Sequence, residues 1–342
     1  MKALILSGGT GTRLRPFTYS GAKQLLPIAN KPILFHIIEK VVRAGIKDIG
    51  IIVGDTCDEI EAAVGNGSRW DAAVTYIHQQ EPLGLAHAVK VAGVFLKDDD
   101  FLMILGDNLL EMELDAFIDF FYSSRSNACI LLHKVPNPSS FGIAVIDGTN
   151  VKRLVEKPKE YIGDLAIIGV YMFDSTIFPA IEEIKPSFRE ELEITDAIQR
   201  LIDRGGKVSY QPTAGWWKDT GSPQDMLEAN RLALSDMASK TSLAYENGIT
   251  VSDSMIIEPV VIGENARIIK SVIGPFVSVG SSVTIEKCTI EDSIVMEGTK
   301  LENINHSIKE SLIGRNVIIK GLPDASGSPA SFIIGDRSEI II

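Results

Sequence analysis

Residues 3–16, ALILSGGTGTRLRP, place a loop of small residues directly after a short apolar run. A strand that leads into such a loop lets backbone N–H groups approach a ligand closely, and that ligand is often a phosphate. The loop is not a P-loop, because Gly11 is followed by Thr12 where that motif has lysine. It is not a dinucleotide fingerprint, because the frame that starts at Gly9 ends on Leu14 instead of glycine.

Cationic side chains follow this loop at once, at Arg13, Arg15 and Lys23. An ordinary strand-to-helix turn would not need them. The stretch therefore predicts a loop that binds a triphosphate with its main chain and with nearby cations.

The composition indicates a globular protein of about two domains. Of the 342 residues, 45% are hydrophobic and 23% charged, and the formal net charge is -12. We therefore expect no nucleic acid and no anionic membrane among its partners. No apolar run approaches the ~20 residues of a membrane span, and the start MKALIL is too short for a signal peptide, so we expect a soluble cytoplasmic protein.

Cysteine and histidine give no sign of a disulfide framework or a zinc site. Cys57, Cys129 and Cys288 are odd in number and far apart, and no C-x-x-C pair occurs. The five histidines show no ligand spacing either, so the sequence does not predict zinc.

Apolar runs and amphipathic segments alternate from the start of the chain to about Gly206. Runs such as ALIL, IGIIV and FLMIL indicate strands, and PILFHIIEKVVRAG and GLAHAVKVAGVFL indicate helices. This alternation predicts a mostly parallel sheet with helices on both faces, in which ligands bind at the carboxyl ends of strands. LGDN, at the end of FLMIL, supplies Asp107 and Asn108 at such a position.

Helix signals support this division. Pro32 suits a first helical position, and Gly45 suits a C-terminal stop. In EITDAIQRLIDRGG, Thr195 or Asp196 is the expected N-cap and Gly205 the stop.

The pattern changes after a last helix expected over residues 222–237. From about Gly248 onward aliphatic residues recur six apart, often beside Ile-Gly or Val-Gly. This spacing fits a prism in which each of three sides directs one aliphatic residue inward, the hexapeptide parallel β-helix. An antiparallel sandwich would need hairpin signals, and ENG at residues 246–248 is the only one there. The repeating positions are Ile262, Ile268, Ile273, Val279, Ile285, Val295, Leu301, Ile313 and Ile319.

Ordered blocks across the chain resemble the sugar-1-phosphate nucleotidylyltransferases, and within them the long form of the thymidylyl-transferring branch. The blocks are LSGGTGTRLRP, KQLLPIANKP, QQEPLGLAHAV, LGDNLL, FGIAVI, VEKP, ELEITD and WWKDTGSPQDMLEAN, and the tail ends in IIGDRSEI. The resemblance implies an α/β fold with a Rossmann-like nucleotidyltransferase domain, built on a mostly parallel mixed sheet, over residues 1–240. It implies a C-terminal left-handed parallel β-helix of hexapeptide repeats over residues 241–342.

The resemblance also implies the reaction, in which dTMP passes from dTTP to glucose 1-phosphate, dTDP-glucose forms and pyrophosphate leaves. An oxygen of the sugar phosphate attacks the α-phosphorus in line, so catalysis consists mostly of alignment and charge neutralisation. Gln24 favours thymidylyl transfer, because guanylyl-transferring relatives tend to have proline there and bacterial uridylyl-transferring ones glutamate. A UTP-using or broad-specificity enzyme, or a catalytically inactive regulatory homologue, is the alternative.

The resemblance assigns residues to the triphosphate and its metal. Arg13 would hold the departing phosphates, with Lys23 as a second cation. Asp107 and Asp219 would bind Mg²⁺, which takes one or two carboxylates together with phosphate oxygens. The loop residues implied to approach the nucleotide are Leu6, Ser7, Gly8 and Gly9.

Other blocks are implied to bind the base and the sugar. Gln79 would read the base, with Gln80 as its rival, and Gly84 would allow close approach. Glu156 would accept sugar hydroxyl protons, and Lys157 would be the cation for the phosphate of glucose 1-phosphate. The remaining substrate-binding residues are Gln24, Asp107, Asn108, Gly142, Ile167 and Trp217, the last two as pocket walls or plain core residues.

One position departs from the family pattern. Where relatives usually have Arg-Gly-Glu before LEITD, this chain has Arg189, Glu190 and Glu191. If that glycine position needs a positive φ, Glu190 would strain the loop.

The repeat region has a rival interpretation, because hexapeptide β-helices also house acyltransferases that use a histidine base. Only His306 lies in the repeats, and no partner motif accompanies it. We therefore expect the tail to join the subunits of a homo-oligomer by burying aliphatic faces.

Overall fold

The structure is a computed structural model that describes residues 1–240, 247–322 and 328–342. In these ranges no helix is both long and apolar enough to cross a membrane. The predicted domain boundary between residues 240 and 241 adjoins residues outside the described ranges, so that boundary stays a prediction.

The first 240 residues alternate short strands and helices, as the apolar pattern predicts. The strands are β1 (Lys2–Leu6), β2 (Pro27–Ile28), β3 (Lys31–Pro32), β4 (Asp48–Val53), β5 (Ala73–His78), β6 (Phe101–Leu105), β7 (Asn108–Leu110), β8 (Ala128–Lys134), β9 (Gly142–Asp147), β10 (Asn150–Glu156), β11 (Leu165–Phe173), β12 (Val208–Pro212) and β13 (Trp217–Asp219). The helices are α1 (Ile33–Arg43), α2 (Cys57–Val64), α3 (Leu85–Val91), α4 (Gly93–Leu96), α5 (Asp115–Ser124), α6 (Ile177–Glu183), α7 (Ile194–Asp203) and α8 (Pro223–Lys240).

Nine strands form one mixed sheet in the order β5-β4-β1-β6-β11-β8-β12-β10-β9. The strands from β5 to β6 are parallel, and Leu6 at the end of β1 lies opposite Ile52 on one side and Leu105 on the other. β11 and β10 run antiparallel to their neighbours. The carboxyl ends of β1, β4 and β6 therefore meet at one edge of the sheet, and the predicted α/β class with a mixed sheet is confirmed.

Helices pack on this sheet through a continuous apolar core. Leu4, Met103 and Tyr171, from three adjacent strands, share one buried cluster with Val89 of α3 and Ile198 of α7. Each such fully buried side chain contributes roughly 1.5–3 kcal/mol relative to exposure. The sheet edge that carries the candidate loops thus rests on a rigid scaffold.

The predicted helix stops are confirmed. Gly45 follows the end of α1 with a φ of 80°. The prediction that Pro32 is the first helical residue is wrong, because Pro32 pairs with Pro27 in the hairpin of β2 and β3 and α1 begins at Ile33. Gly205 follows the end of α7 with a φ of 84°. Glycine adopts this left-handed conformation without the steric cost that other residues meet, and so ends both helices.

The predicted N-cap of α7 is wrong. The helix begins at Ile194, with Glu193 at the cap position, so Thr195 and Asp196 lie inside it. The Thr195 hydroxyl donates a hydrogen bond to the Glu156 carboxylate at 3.2 Å instead of capping the helix. A tertiary contact therefore overrides the local capping preference.

Short parallel strands in three sheets make up the described chain from residue 247 onward. They are β14 (Thr250–Ser252), β15 (Met255–Ile256), β16 (Val260–Ile262), β17 (Arg267–Ile269), β18 (Val272–Ile273), β19 (Val277–Val279), β20 (Thr284–Glu286), β21 (Thr289–Glu291), β22 (Ser293–Val295), β23 (Lys300–Glu302), β24 (Ser307–Lys309), β25 (Leu312–Ile313), β26 (Ile318–Lys320), β27 (Ile333–Ile334) and β28 (Glu339–Ile341). The sheet orders are β14-β17-β20-β23-β26-β28, β15-β18-β21-β24 and β16-β19-β22-β25-β27.

Each turn of this structure stacks on the next in parallel. Arg267 pairs with Thr250 of the preceding coil and with Thr284 of the following coil. The sequence length of one coil is therefore close to three hexapeptides. All nine repeating aliphatic residues lie in the buried interior of the coils. The predicted parallel β-helix is confirmed.

By compactness the chain divides into two units that do not follow chain order. The first unit contains residues 1–10 and 34–219, and the second contains residues 11–33 and 220–342. Residues 11–33, which we call the cationic segment, carry Arg13 and Lys23. They thus belong with α8 and the β-helix.

Hydrogen bonds hold the cationic segment within the second unit. The buried Asn230 of α8 accepts from the Ala29 N–H at 2.9 Å and from the Ser278 hydroxyl at 2.6 Å. The Ser20 hydroxyl donates to Asp336 of the last coils at 2.7 Å. The β-helix therefore contacts the predicted phosphate-binding segment directly.

Candidate functional site

The loop after β1 begins between two strands of the sheet. The Ser7 N–H donates to the carbonyl oxygen of Ile52, and the Gly106 N–H donates to that of Leu6, both at 2.8 Å. The Ser7 hydroxyl is fully buried and has no hydrogen-bond partner among the described residues. Buried polar atoms nearly always have a partner, so this hydroxyl marks a position suited to a ligand or a water molecule.

Gln79, Gly84 and Gly8 come together where β5 ends and α3 begins. The Gln79 amide donates to the carbonyl oxygen of Gly84 at 3.2 Å and lies 3.0 Å from His87 Nδ1. A Cβ on Gly8 would lie 3.4 Å from Gln79 Oε1. The side chain of the rival residue Gln80 is exposed. Of the two glutamines, Gln79 is therefore the one beside the glycine loop.

Gly84 lies against protein backbone. Its φ is 104°, and a Cβ there would lie 2.5 Å from the carbonyl oxygen of Leu192. That oxygen also accepts a hydrogen bond from the Ala86 N–H at 3.0 Å, which fixes its position. Only glycine fits here, and the close approach that it allows is to the loop before α7.

Asp107 and Asp219 are brought to one place by β7 and β13. The two strands pair antiparallel with Asn108 opposite Asp219. Asp107 directly precedes Asn108 and accepts a hydrogen bond from its amide at 2.9 Å. Asp107 therefore lies next to Asn108 and Asp219 opposite it, just beyond the carboxyl end of β6, and carboxylates are ligands that suit a hard divalent cation.

Asn108 connects this pair to Trp217. Its Oδ1 accepts a hydrogen bond from Trp217 Nε1 at 2.7 Å. The Trp217 ring also packs edge-on against the Phe141 ring, with centroids 5.7 Å apart. The centroid of the His133 ring lies 5.8 Å from that of Trp217. The indole is thus oriented by a polar contact as well as by packing.

Gly142, Glu156 and Ile167 converge at the hairpin of β9 and β10. Gly142 lies opposite Glu156 in the pairing of the two strands. A Cβ on Gly142 would lie 2.7 Å from Thr195 Cγ2, 3.0 Å from Glu156 Oε2 and 3.5 Å from Ile167 Cδ1. The glycine therefore leaves room for the Glu156 carboxylate.

Lys157 directly follows Glu156 in the chain. Its backbone has the left-handed conformation, with a φ of 41°. Its N–H donates to the carbonyl oxygen of Phe141 at 3.0 Å, and its ammonium lies 4.0 Å from Glu156. Phe141 contacts Trp217 as well, so it connects the Glu156 group to the Asp107 group. The Lys157 side chain is 38% exposed and therefore accessible to an anion.

Sequence reasoning missed the residues that support Glu156. Besides the bond from Thr195, the Arg189 guanidinium lies 3.5 Å from the Glu156 carboxylate and 3.6 Å from that of Glu193. The available signal was a single arginine beside three glutamates in REELE, residues 189–193. Such a run is equally typical of a solvent-exposed loop.

The expected strain at Glu190 is confirmed. This residue has a φ of 61°, in the left-handed region that glycine favours. Its N–H donates to the carbonyl oxygen of Ser187 at 2.9 Å, which closes the turn. A non-glycine residue held in this region costs of order 1–3 kcal/mol.

The Glu156 carboxyl is less acidic than an ordinary glutamate. Burial raises its pKa, and the nearby Glu193 carboxylate raises it further. Lys157, the hydrogen bond from Thr195 and Arg189 lower the pKa, but less than the first two effects raise it. This carboxylate therefore takes up a proton at a higher pH than an exposed glutamate.

Arg13, Lys23 and Gln24 lie in the second unit. Gly11 has a φ of 64°, and a Cβ there would lie 3.0 Å from Lys23 Cβ. A Cβ on Gly221 would lie 2.6 Å from Arg13 Nη2, so the guanidinium rests on the Gly221 backbone. Gln24 is buried, and its carboxamide oxygen has no hydrogen-bond partner among the described residues. Like Ser7, it suits a ligand.

Residues 2–236 match the family model of nucleotidyl transferases. The chain belongs to the nucleotidyl transferase family. This match confirms the resemblance stated on the motifs and the predicted enzyme class.

Relatives match nearly the whole chain. A glucose-1-phosphate thymidylyltransferase of Streptomyces griseus is 45% identical over 99% of this chain and 98% of its own length. One of Streptomyces antibioticus is 44% identical over 100% of this chain and 99% of its own. A solved Bacillus anthracis structure, provisionally assigned as glucose-1-phosphate thymidylyltransferase and in complex with sucrose, is 36% identical with a TM-score of 0.64, covering 68% of this chain and 95% of that one. The predicted nucleotidyltransferase fold is thus confirmed.

Proposed function

We propose that this protein transfers dTMP from dTTP to glucose 1-phosphate, which yields dTDP-glucose and pyrophosphate. The observation that supports the proposal is the antiparallel pairing of Asn108 with Asp219, because it brings the residue that follows Asp107 opposite Asp219. Two relatives matched over nearly their full length are named for this activity. No protein nucleophile takes part, because the sugar phosphate itself attacks.

In this reaction a P–O bond forms between glucose 1-phosphate and the α-phosphorus, and the bond to pyrophosphate breaks. Arg13 and Lys23 bind the departing phosphates, and Lys157 binds the sugar phosphate. These cations offset the repulsion between two polyanions, while Glu156 orients the sugar through its hydroxyl groups. Holding both substrates in line supplies about 7–11 kcal/mol of the barrier.

Nucleotidyl transferases of this family typically use a divalent metal ion. We propose Mg²⁺ here, held by Asp107 and Asp219, because carboxylates are the protein ligands that Mg²⁺ prefers. When bound, this ion supplies a Lewis acid that stabilises charge at the α-phosphate.

The base preference rests on Gln24 and Gln79. Each carries a carboxamide of the kind that pairs with the hydrogen-bonding edge of a base, and the buried oxygen of Gln24 has no partner among the described residues. Thymine and uracil differ by one methyl group, which a pocket contact discriminates by only ~1–3 kcal/mol. UTP is therefore a slower substrate, not an excluded one.

A substrate grid tests the proposal. Four nucleoside triphosphates are combined with the 1-phosphates of glucose, galactose, mannose and N-acetylglucosamine, and pyrophosphate release is measured. We expect the highest kcat/KM for dTTP with glucose 1-phosphate. Dominance of GTP with mannose 1-phosphate would refute thymidylyl transfer, and a lack of turnover with every pair would favour a regulatory homologue.

We expect Gln79→Ala to raise the KM for dTTP by about 10-fold, because an unmet hydrogen bond at the buried base edge costs ~1–3 kcal/mol. The KM for glucose 1-phosphate should not change. Gln80→Ala is the matched control, since its side chain is exposed. An equal effect in both variants would contradict the assignment of the base to Gln79.

The pH dependence of sugar use should report on Glu156. We expect kcat/KM for glucose 1-phosphate to fall as the pH drops through the raised pKa of this carboxyl, because only the carboxylate accepts sugar hydroxyl protons. Glu193→Gln removes a nearby negative charge, so it should lower the Glu156 pKa and move the acidic limb to lower pH. The substrate phosphate titrates identically with both enzymes. If the acidic limb had the same position in both, Glu156 would not be the group that causes it.

Gly335→Ala should test the contact between the β-helix and the cationic segment. A Cβ at Gly335 would lie 3.0 Å from Pro16 Cβ. We expect kcat to fall about 10-fold, since misplacing a reacting group by 1 Å costs up to about 10²-fold. Ser331→Ala is the control, because that hydroxyl donates to the carbonyl oxygen of Glu310 within the β-helix. Equal rates for both variants would show that this contact does not position Arg13.

We also propose that the protein is a homo-oligomer joined through the β-helix. The repeating aliphatic residues point into the coils. Apolar contact area is instead offered by Val251, Met255 and Ile257 of the first coils, which are exposed. Light scattering on the full-length protein should give more than one chain per particle, and a monomer would contradict the proposal.

A further inference from the structure

Cys57, Glu61 and His78 form the one cluster of three potential metal ligands in the described part of the chain. Cys57 Sγ lies 3.2 Å from Glu61 Oε1 and 3.6 Å from His78 Nε2, and the three ligand atoms lie within 4.8 Å of one another. We infer that these side chains bind a divalent ion of the zinc class. None of the three is assigned to the nucleotide, the sugar or Mg²⁺.

The fold assembles this cluster from two elements. Cys57 and Glu61 stand one turn apart on the same face of α2, and His78 is the last residue of β5. β5 pairs with β4, the strand that leads into α2. The sequence does not reveal the cluster, because the end of α2, a connection and the rest of β5 separate Glu61 from His78. The ligands therefore have none of the close spacings typical of zinc motifs.

The two separations that Cys57 Sγ makes are close to those in a tetrahedral zinc site. Zinc lies about 2.3 Å from sulfur and about 2.0–2.2 Å from nitrogen or oxygen, which puts the ligand atoms about 3.3–3.6 Å from one another. The two separations that Cys57 Sγ makes, 3.2 Å and 3.6 Å, are close to this range. All three ligand atoms lie within 4.8 Å of one another, so side-chain rotations can bring them around one ion.

The donor set selects the kind of ion. A thiolate and an imidazole favour Zn²⁺ and similar transition metals, whereas Mg²⁺ prefers oxygen ligands. Cys57 is buried, while Glu61 and His78 are exposed, so an ion can enter from solvent and keep water in a fourth position. This site and the Asp107 site should therefore discriminate between Zn²⁺ and Mg²⁺.

A catalytic thiol is not the alternative explanation. Cys57 is buried and its thiol donates a hydrogen bond to Glu61, whereas reactive cysteines are partly exposed and lie beside positive charge. The alternative is a thiol that merely donates a hydrogen bond to Glu61. A bound ion would displace the thiol proton. A metal-bound thiolate and a hydrogen-bonded thiol therefore differ in their spectra.

Co²⁺ is the probe of choice because it replaces Zn²⁺ in tetrahedral sites and is coloured. Metal-stripped full-length protein is titrated with CoCl₂ without substrates. We expect visible d–d bands of tetrahedral Co²⁺ and a near-ultraviolet sulfur-to-cobalt charge-transfer band. Zn²⁺ should abolish these bands, and a large excess of Mg²⁺ should not. The readout needs no turnover, so it is independent of the proposed function.

Variants assign the bands to the cluster. Cys57→Ser should lose the charge-transfer band, and His78→Gln should weaken Co²⁺ binding by more than about 10-fold. Cys288→Ser is the matched control, because that buried cysteine donates to the carbonyl oxygen of Glu286 in the β-helix. Thermal melting without metal checks that each variant is folded. A wild-type protein without bands, or bands that persist in folded Cys57→Ser, would overturn the inference.

Discussion

Asp219→Asn and Asp107→Asn should each reduce kcat by about 10²- to 10³-fold, since a Lewis acid stabilises the transition state by several kcal/mol and each 1.36 kcal/mol is worth a factor of ten. The amide keeps the size of the carboxylate, so the pairing of β7 with β13 should persist. Pyrophosphate release is measured across a range of Mg²⁺ concentrations, and the Mg²⁺ needed for half-maximal rate should rise. Thermal melting separates this loss from unfolding.

The double variant sharpens this test. If both carboxylates hold one ion, removing the second should cost little more than removing the first, because interacting residues are not additive. Asp147→Asn is the matched control, an exposed aspartate at the end of β9. Wild-type rates in either single variant, or fully multiplicative losses in the double variant, would remove the shared metal site.

Arg13→Ala should reduce kcat by about 10²-fold, because removing one preorganised donor from a developing charge costs about 10²–10³-fold. Arg13→Lys should recover part of the loss, since it restores the charge but not the planar fork that matches a phosphate. Single-turnover measurements at saturating dTTP separate this effect from nucleotide binding.

Gly221→Ala offers a milder version of the same test. The new methyl group would meet the Arg13 guanidinium, whose flexible end can swing aside, so we expect a loss of about 10-fold with little change in melting temperature. Arg15→Ala is the control, because the Arg15 guanidinium lies over the Tyr19 ring, 5.0 Å from its centroid. If Arg15→Ala were as slow as Arg13→Ala, the role assigned to Arg13 would belong to the segment as a whole.

Much of the fold could be predicted because its information is local. The i, i+6 spacing placed residues such as Ile268 and Ile285 inside the coils, since each coil repeats the same requirement. The alternating apolar runs indicated the α/β unit in the same way. The cap of α7 could not be predicted, because the Thr195 hydroxyl can either cap its own helix or donate to Glu156 of another element. The structure shows the second of these hydrogen bonds.

The site was only partly predictable. The motifs supplied Asp107 and Asp219 as candidates, but their proximity depends on a strand pair whose residues lie far apart in the chain, as Asn108 and Trp217 do at a separation of 109 residues. Arg189, which contacts Glu156, was not predicted, because an arginine among glutamates is equally typical of a solvent-exposed loop.

By itself, the sequence determined the order of elements and the repeat that forms the β-helix, and it supplied the residues proposed to bind phosphate, sugar and metal. Each of these depends on residues that are neighbours in the chain. Only the tertiary structure decided that Asn108 faces Asp219, that the cationic segment is compact with the β-helix, and that Cys57 meets His78. The physical reason is that these contacts join residues distant in the chain. Their pairing follows from how whole strands and helices pack, which no local spacing encodes.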